Sequence, residues 1–163
     1  MQKITIDDID PMVPGGGESS LDMRRLAEPL NTSELAINYY ALDPGQAFSP
    51  GIHTHLDQEE VFYILDGTAT FETKPEATAD SEHIEVRAGE VVRFAPGEFQ
   101  QGRNEGDAPV VALALGAPRG PTEGRVPQPC PECEESDVLA VMLNDGEIQL
   151  QCPECDAEID TEM

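Results

Sequence analysis

The feature that most constrains this chain is a short run of metal-ligand side chains. His53, His55 and Glu60 follow one another with the spacing H-x-H-x4-E, and Gly67 comes after six further residues. On an extended strand alternate side chains share a face, so His53 and His55 are predicted to point inward while Thr54 points away. After a short turn, a new strand would return the Glu60 carboxylate to the same place. The spacing therefore predicts three ligands around one ion.

The donor set indicates which metals the site would accept. Two imidazoles and one carboxylate with open positions suit non-haem Fe(II), and Zn, Mn and Ni accept the same donors. Glu59 is the alternative carboxylate, although strand parity favours Glu60, whose inward neighbours would be Phe62 and Ile64. The other interpretation is that His53 and His55 are ordinary surface histidines on a strand.

Together with a second run of residues, this spacing resembles the cupin family. The first cupin motif reads G-x5-H-x-H-x3or4-E-x6-G, and here seven residues lie between Gly45 and His53, two more than in the pattern. The second motif reads G-x5-P-x-G-x2-H-x3-N, and it aligns onto Gly89, Ala95, Gly97, Gln100 and Asn104, with Pro96 shifted by one. The resemblance covers roughly residues 33–118.

The resemblance implies an all-β, jelly-roll barrel that holds a divalent metal and one small-molecule ligand, and it raises the expectation of a homodimer. Gln100 stands where the family places its fourth ligand, a histidine. An amide oxygen is a weak neutral ligand, so Gln100 either completes the metal site or holds a metal-bound water.

The pattern of short strands and turns agrees with a β-sandwich or barrel. Residues 1–32 are predicted to form an N-terminal arm with a glycine break at 15–17 and a short helix at 21–30, capped by Ser19 or Ser20. His83 is expected to face solvent. The barrel strands are predicted at 35–42, 51–55, 60–65, 68–73, 83–86, 91–94, 99–104 and 110–115. Residues 119–129 are rich in Pro and Gly and are predicted to form a linker to a C-terminal tail, residues 130–163.

The tail carries all four cysteines of the chain in two C-x2-C pairs separated by 18 residues: Cys130, Cys133, Cys152 and Cys155. This spacing is typical of zinc sites, and four thiolates leave no open position, as in structural zinc. Two strands at 137–143 and 147–151 are predicted around a hairpin turn at 144–146, so the tail resembles a zinc ribbon. Redox dithiols or disulfides are the competing interpretation.

Charge sets the expected environment. The chain has 33 acidic and 9 basic residues and a net charge of −24. Such a protein repels itself at low salt, so we expect a halophile with a salt-rich cytoplasm, against the alternative of an unusually acidic mesophilic protein.

No apolar run predicts a membrane span or a secretory signal. Residues 130–163 contain eleven acids and no Lys or Arg, so direct contact with nucleic acid is not expected, and the tail is better suited to docking a protein partner.

Three functions remain open on this basis. The first is a metal-dependent enzyme acting on a small oxygenated metabolite, such as a dioxygenase or an isomerase. The second is a sensor or binding module that uses the tail as a docking arm. The third is a structural or storage protein. The cupin fold hosts all three, so the fold does not choose among them.

Overall fold

The computed structural model describes residues 1–12, 21–120, 122–144 and 147–159. These residues form a 3-10 turn (Ile6–Asp8), one short helix, α1 (Ala27–Leu30), and thirteen strands, which confirms the all-β prediction. No helix in the described ranges has the length and apolar character needed to cross a membrane. The strands are β1 Asp22–Arg25, β2 Ala36–Leu42, β3 Thr54–His55, β4 Glu59–Asp66, β5 Thr68–Lys74, β6 Glu82–Arg87, β7 Val91–Phe94, β8 Phe99–Arg103, β9 Val110–Ala117, β10 Gly124–Val126, β11 Leu139–Asn144, β12 Glu147–Gln151 and β13 Glu158–Ile159.

Two sheets form the barrel. One has the strand order β1-β2-β9-β4-β7 and the other the order β6-β5-β8. The core between them takes side chains from both sheets, among them Tyr40, Phe62 and Phe71, with Phe71 fully buried and stacked on Phe48 at 5.7 Å between ring centroids. Along β9 alternate residues are buried, as expected for a strand with one face on a core. This arrangement is the predicted jelly roll.

Two glycines are required where the barrel packs most tightly. A Cβ on Gly102 would lie 2.4 Å from the ring of Phe71 and 2.6 Å from that of Phe48. Gly67 has a φ of +78°, and a Cβ there would lie 2.5 Å from the carbonyl oxygen of Pro109. Gly67 therefore meets both a conformational and a steric requirement at the turn between β4 and β5.

The prediction of a helix over 21–30 is wrong for its first half. Asp22–Arg25 is a strand that pairs antiparallel with β2, and the guanidinium of Arg24 lies 5.8 Å from the ring centroid of Tyr39. Only Ala27–Leu30 is helical, and it ends at Asn31 in the left-handed conformation. Backbone hydrogen bonds to the edge of β2 stabilise this segment as a strand, and they outweigh its local helix propensity. The predicted caps and the glycine break lie outside the described residues.

The strand predicted at 51–55 is reduced to Thr54–His55. His53 makes only an isolated bridge with Gln100, because a bend at Pro50 and Gly51 precedes it. The other barrel strands differ from their predicted limits by at most two residues. His83 is exposed on β6, as expected.

A third sheet joins the tail to the barrel, in the order β13-β12-β11-β10-β3. Strand β10 lies within the predicted linker 119–129. It pairs with β3 through Gly124↔His55 and Arg125↔Thr54, and with β11 on its other side. Strands β11 and β12 form the predicted hairpin, although part of its turn lies outside the described residues. The limits of the domains themselves stay a prediction.

Candidate metal centres of the barrel and the tail

Three side chains predicted to bind a metal meet at one end of the barrel. The ligand atoms of His53, His55 and Glu60 all lie within 4.8 Å of one another. Nε2 of His55 is 3.8 Å from Oε1 of Glu60, and the two imidazole rings are nearly perpendicular, with centroids 5.1 Å apart. Two donors that each lie about 2.1 Å from an ion can be at most about 4.2 Å apart. The separation of His55 and Glu60 therefore fits a shared divalent metal.

Both histidines have their Nδ1 in a polar contact, which leaves Nε2 available to the site. Nδ1 of His53 is 3.1 Å from the carbonyl oxygen of Gly51. A carbonyl only accepts, so this Nδ1 carries the proton and Nε2 keeps its lone pair. Nδ1 of His55 lies 2.9 Å from the hydroxyl of Thr122, which leaves Nε2 facing Glu60. Such contacts to the outer nitrogen orient metal-binding imidazoles.

The neighbouring carboxylate points elsewhere. Glu59 is paired with Arg93 at 2.6 Å on the exposed side of β4. Because side chains alternate along a strand, Glu60 lies on the opposite face, toward the histidines. The structure therefore brings Glu60, rather than Glu59, to the site.

Gln100 faces the same centre. It is 2% exposed, and its amide nitrogen donates to Oε2 of Glu60 at 2.8 Å. Its Oε1 is buried and has no hydrogen-bond partner among the described residues. Gln101 lies on the other face, where its amide donates to the carbonyl of Ser49 and its oxygen accepts from Arg103. An unpaired buried oxygen costs about 1–3 kcal/mol, and a metal or a metal-bound water at this centre would satisfy it.

Burial also sets the protonation of two side chains. It lowers the pKa of His55, although the charge of Glu60 opposes the shift, so the neutral imidazole that binds metals is favoured. Burial raises the pKa of Tyr40 to about 12, and the charge of Glu60 adds to this effect. Tyr40 is therefore a neutral phenol inside the barrel wall near the site.

One residue of the site was not predicted from the sequence. Thr122 lies in the Pro- and Gly-rich segment after the barrel, and its contact with His55 spans 67 residues. Neither spacing nor periodicity marks this threonine, because its position depends on the pairing of β10 with β3.

The tail brings its four cysteines together as predicted. Sγ of Cys130 is 3.8 Å from that of Cys155, and Sγ of Cys133 is 3.7 Å from that of Cys152. A tetrahedron with Zn–S bonds of about 2.3 Å has sulfurs roughly 3.8 Å apart, whereas a disulfide needs about 2.05 Å. The backbone N–H of Cys133 lowers the pKa of Cys130 to about 7, which favours a thiolate there. At Cys155 the backbone N–H of Ala157 also favours the thiolate, but burial and the neighbouring thiols outweigh it and raise the pKa, so the geometry of the four sulfurs is the stronger argument. The cluster fits zinc.

Known structures share the barrel. A cupin sugar phosphate isomerase from Silicibacter pomeroyi matches with a TM-score of 0.70 and 19% identity over 94% of both chains. A protein from Acidithiobacillus ferrooxidans, provisionally assigned as a sugar phosphate isomerase, matches at 0.61 and 20% over 80% of this chain and 74% of that one. A predicted oxalate decarboxylase from Thermotoga maritima matches at 0.57 and 23% over 71% and 98%.

At these identities the likeness establishes the fold. No curated protein sequence matches the chain. The family model of the cupin domain matches residues 38–116, which hold Glu60, Gln100 and both histidines of the site. The match covers just under half of the chain, and together with the jelly-roll topology it shows a cupin domain at residues 38–116, followed by a four-cysteine cluster near the C-terminus.

Proposed function

We propose that the barrel binds one divalent transition metal through His53, His55 and Glu60, and that it is a metal-dependent enzyme acting on a small oxygenated metabolite. The observation that carries this proposal is the convergence of two imidazoles, each with its outer nitrogen already engaged, and one carboxylate on a single point. Fe, Mn, Zn and Ni all suit this donor set. The proposal for the tail is one structural zinc in the four-cysteine cluster.

Each residue around the centre has a distinct role in this proposal. Gln100 holds one oxygen of Glu60 and leaves the other free to face the metal. The unpaired Oε1 of Gln100 accepts a hydrogen bond from a bound water or substrate hydroxyl, or approaches the metal itself. Tyr40 keeps its proton at neutral pH and contributes a neutral polar group to the wall. A divalent metal bound here would supply Lewis-acid or redox chemistry.

Sugar phosphates are the first substrate class to test. Two of the structures with the same fold are assigned, one of them provisionally, as sugar phosphate isomerases. A sugar phosphate offers adjacent hydroxyl and carbonyl oxygens, which suit a metal with open positions beside an unpaired amide oxygen. Oxalate is the second class, because a third neighbour is a predicted oxalate decarboxylase.

A ligand sensor is the second candidate function, and one observation favours it. The strand that carries His55 pairs directly with β10, and β10 pairs with the tail sheet. A ligand that shifts this strand would therefore act on the tail, which would serve as the docking arm for a protein partner.

The proposal also covers the cellular environment of the protein and its oligomeric state. The net charge of −24 supports a salt-rich cytoplasm, and the cupin fold supports a homodimer, since cupins often oligomerise.

The test uses the full chain purified in high salt. Metal content is measured first, and product formation is then followed by NMR with aldose and ketose phosphates, the matching unphosphorylated sugars and oxalate. The control is the double variant His53→Ala/His55→Ala. We expect turnover of a phosphorylated sugar that disappears in the variant. Metal-dependent binding without turnover would support the sensor. Absence of barrel metal in the wild type would overturn both functions.

A further inference from the structure

A threonine outside the cupin domain match contacts a metal-ligand histidine. The hydroxyl of Thr122 lies 2.9 Å from Nδ1 of His55, on the side of the ring opposite the nitrogen that faces Glu60. With the His55 proton on Nδ1, the imidazole donates to this hydroxyl. The contact fixes the rotation of the ring, and because the hydroxyl can accept from Nδ1, it supports the tautomer that leaves Nε2 free.

The position of Thr122 is set by the backbone that follows it. The N–H of Leu56 donates to the carbonyl of Glu123 at 2.9 Å, and the N–H of Glu123 donates to the carboxylate of Asp57 at 2.9 Å. Gly124 then pairs with His55 itself. Thr122 therefore stays beside the imidazole only while β10 stays paired with β3.

The tail holds β10 from its other side. Three residue pairs connect β10 with β11, ending at Val126↔Leu139. Val126 packs against a small buried cluster made of Leu139, Leu150 and two zinc-site cysteines, Cys130 and Cys152. Strands β11, β10 and β3 are therefore consecutive strands of one hydrogen-bonded sheet, and the cysteine cluster packs against this sheet through Val126 and Leu139.

Metal-dependent folding of the tail would couple the two sites. A buried cluster of four residues is too small to fold a segment by itself, and segments of this kind generally fold only when zinc is bound. Without zinc, β11 loses its order and β10 loses the partner on one side. The two-state element that both sites can bias is therefore the tail sheet.

We propose that Thr122 is a positioning residue for His55, and that zinc bound by the tail cysteines tightens metal binding in the barrel by holding β10, and with it Thr122, against β3. This inference rests on the barrel metal site of the proposed function. Coupling between binding sites is reciprocal, so metal in the barrel also stabilises the tail around its zinc.

The first experiment measures Mn²⁺ affinity in the zinc-loaded full chain, from the EPR signal of free Mn²⁺ in molar KCl. Mn²⁺ binds N/O sites more weakly than Zn²⁺ and does not displace zinc from thiolates, so it reports on the barrel. The variant His53→Ala/His55→Ala gives the background from surface carboxylates. Thr122→Val keeps the shape and removes the hydroxyl, and we expect a loss of about tenfold. Thr122→Ser should restore the affinity.

The matched control is Thr32→Val. Thr32 also uses its hydroxyl in a hydrogen bond, to the carbonyl of Leu35, but it does not contact His55. We expect it to bind Mn²⁺ as the wild type does. Equal affinity in Thr122→Val and the wild type would overturn the positioning role, whereas no Mn²⁺ binding to the wild type above background would overturn the barrel site and this inference together.

The second experiment tests the link to zinc. Cys133→Ser/Cys155→Ser removes two zinc ligands, and we expect it to weaken Mn²⁺ binding. If the tail acts through Thr122, adding Thr122→Val to this variant produces no further loss. Additive losses, or unchanged affinity in the cysteine variant, would overturn the coupling.

A third measurement needs no change to the cysteines. The rate at which iodoacetamide alkylates the buried Cys130 and Cys152 reports how often the tail opens. Saturating Mn²⁺ should slow this rate in the wild type and have little effect in Thr122→Val. An equal effect of Mn²⁺ in both proteins would overturn the reciprocal half of the proposal, even if the cysteine variant failed to fold.

Discussion

The barrel and the tail each gather a set of metal ligands, and they do so in opposite ways. The barrel ligands come from β3, β4 and the residue before β3, and they are placed by a core of twelve buried residues. The tail ligands come from two C-x2-C turns, and the cluster of buried residues there has four members, two of which are the ligands Cys130 and Cys152. In the barrel a large core places the candidate ligands, whereas the tail has a small core and is expected to depend on a bound metal for its folding.

The difference in donors follows the difference in role. Nitrogen and oxygen donors on one side of an ion leave positions for substrate, and the unpaired oxygen of Gln100 offers such a substrate a further contact. Four sulfurs within 4.8 Å of one another, with two of the separations at 3.8 and 3.7 Å, can enclose an ion and would leave no position open. One chain thus combines a site suited to chemistry with a site suited to structure.

The largest expected effect is the selective loss of one metal. In His53→Ala/His55→Ala the barrel loses two of its three ligands, so the metal content should fall from two equivalents to one while the tail zinc remains. The barrel should still melt cooperatively, because its core does not include these side chains. Elemental analysis and a thermal melt check this. Retention of both equivalents would refute the barrel site.

The converse change is Cys130→Ser, which should remove zinc from the tail. Structural zinc contributes about 10–16 kcal/mol in small zinc-finger peptides, so β11 to β13 should unfold without it. The barrel should keep its fold but bind its own metal less tightly. Limited proteolysis would then cleave the tail first. A tail that stays protected without zinc would show that its apolar contacts suffice.

Gln100→His should increase metal affinity in the barrel by about tenfold, since an imidazole donates to transition metals better than an amide. Gln101→His is the matched control, because Gln101 lies on the opposite face and contacts Ser49. Titration calorimetry of both variants decides the question. An equal gain in both would mean that the two faces of β8 are exchanged. If Gln100→His also lowers turnover, Gln100 serves the substrate rather than the metal.

Salt should stabilise the tail more than the barrel. All nine basic residues lie before residue 130, so the eleven acids of the tail have no cation of their own segment to screen them. KCl from 0.1 to 2 M should raise the melting temperature, by roughly 2–4 °C for each kcal/mol of repulsion relieved, and should slow zinc loss. A melting temperature that stays flat or falls would remove the basis for a halophilic origin.

The smallest expected effect is a pH dependence confined to the metal-free barrel. Because burial lowers the pKa of His55, the folded protein takes up a proton less readily than the unfolded one. Stability should therefore be complete above about pH 6.5 and decrease as the pH falls below it. His55→Gln should reduce this decrease, and His83→Gln on exposed β6 is the control. Equal slopes in all three proteins would refute the shift.

Local sequence signals were enough to single out the candidate metal ligands that the structure brings together. His55 and Glu60 belong to two successive strands and His53 lies just before the first of them, while the cysteine pairs define their own turns, so the sequence spacing is enough to relate these residues. Gln100 was predicted from the second cupin motif, and the structure places it on Glu60. These residues could be found because each motif is short and its geometry depends on adjacent elements.

The elements that were missed depend on partners distant in sequence. Strand β1 was predicted as part of a helix, and its extended form is set by pairing with β2. Strand β10 was predicted as linker, since three residues in a Pro- and Gly-rich segment carry no strand period. The contact of Thr122 with His55 depends on the pairing of β10 with β3, so the sequence did not reveal this residue either. Pairing across the sheet, rather than propensity, decides these positions.

The strand shared between barrel and tail also bears on how such a protein could arise. A zinc-binding segment on a free tether can be exchanged between genes by recombination anywhere in the tether. Here a crossover within residues 119–129 would divide a sheet, leave β3 without its partner and remove Thr122 from His55. The two halves of this chain are therefore expected to be inherited as one unit, with changes in either half selected for their fit to the other.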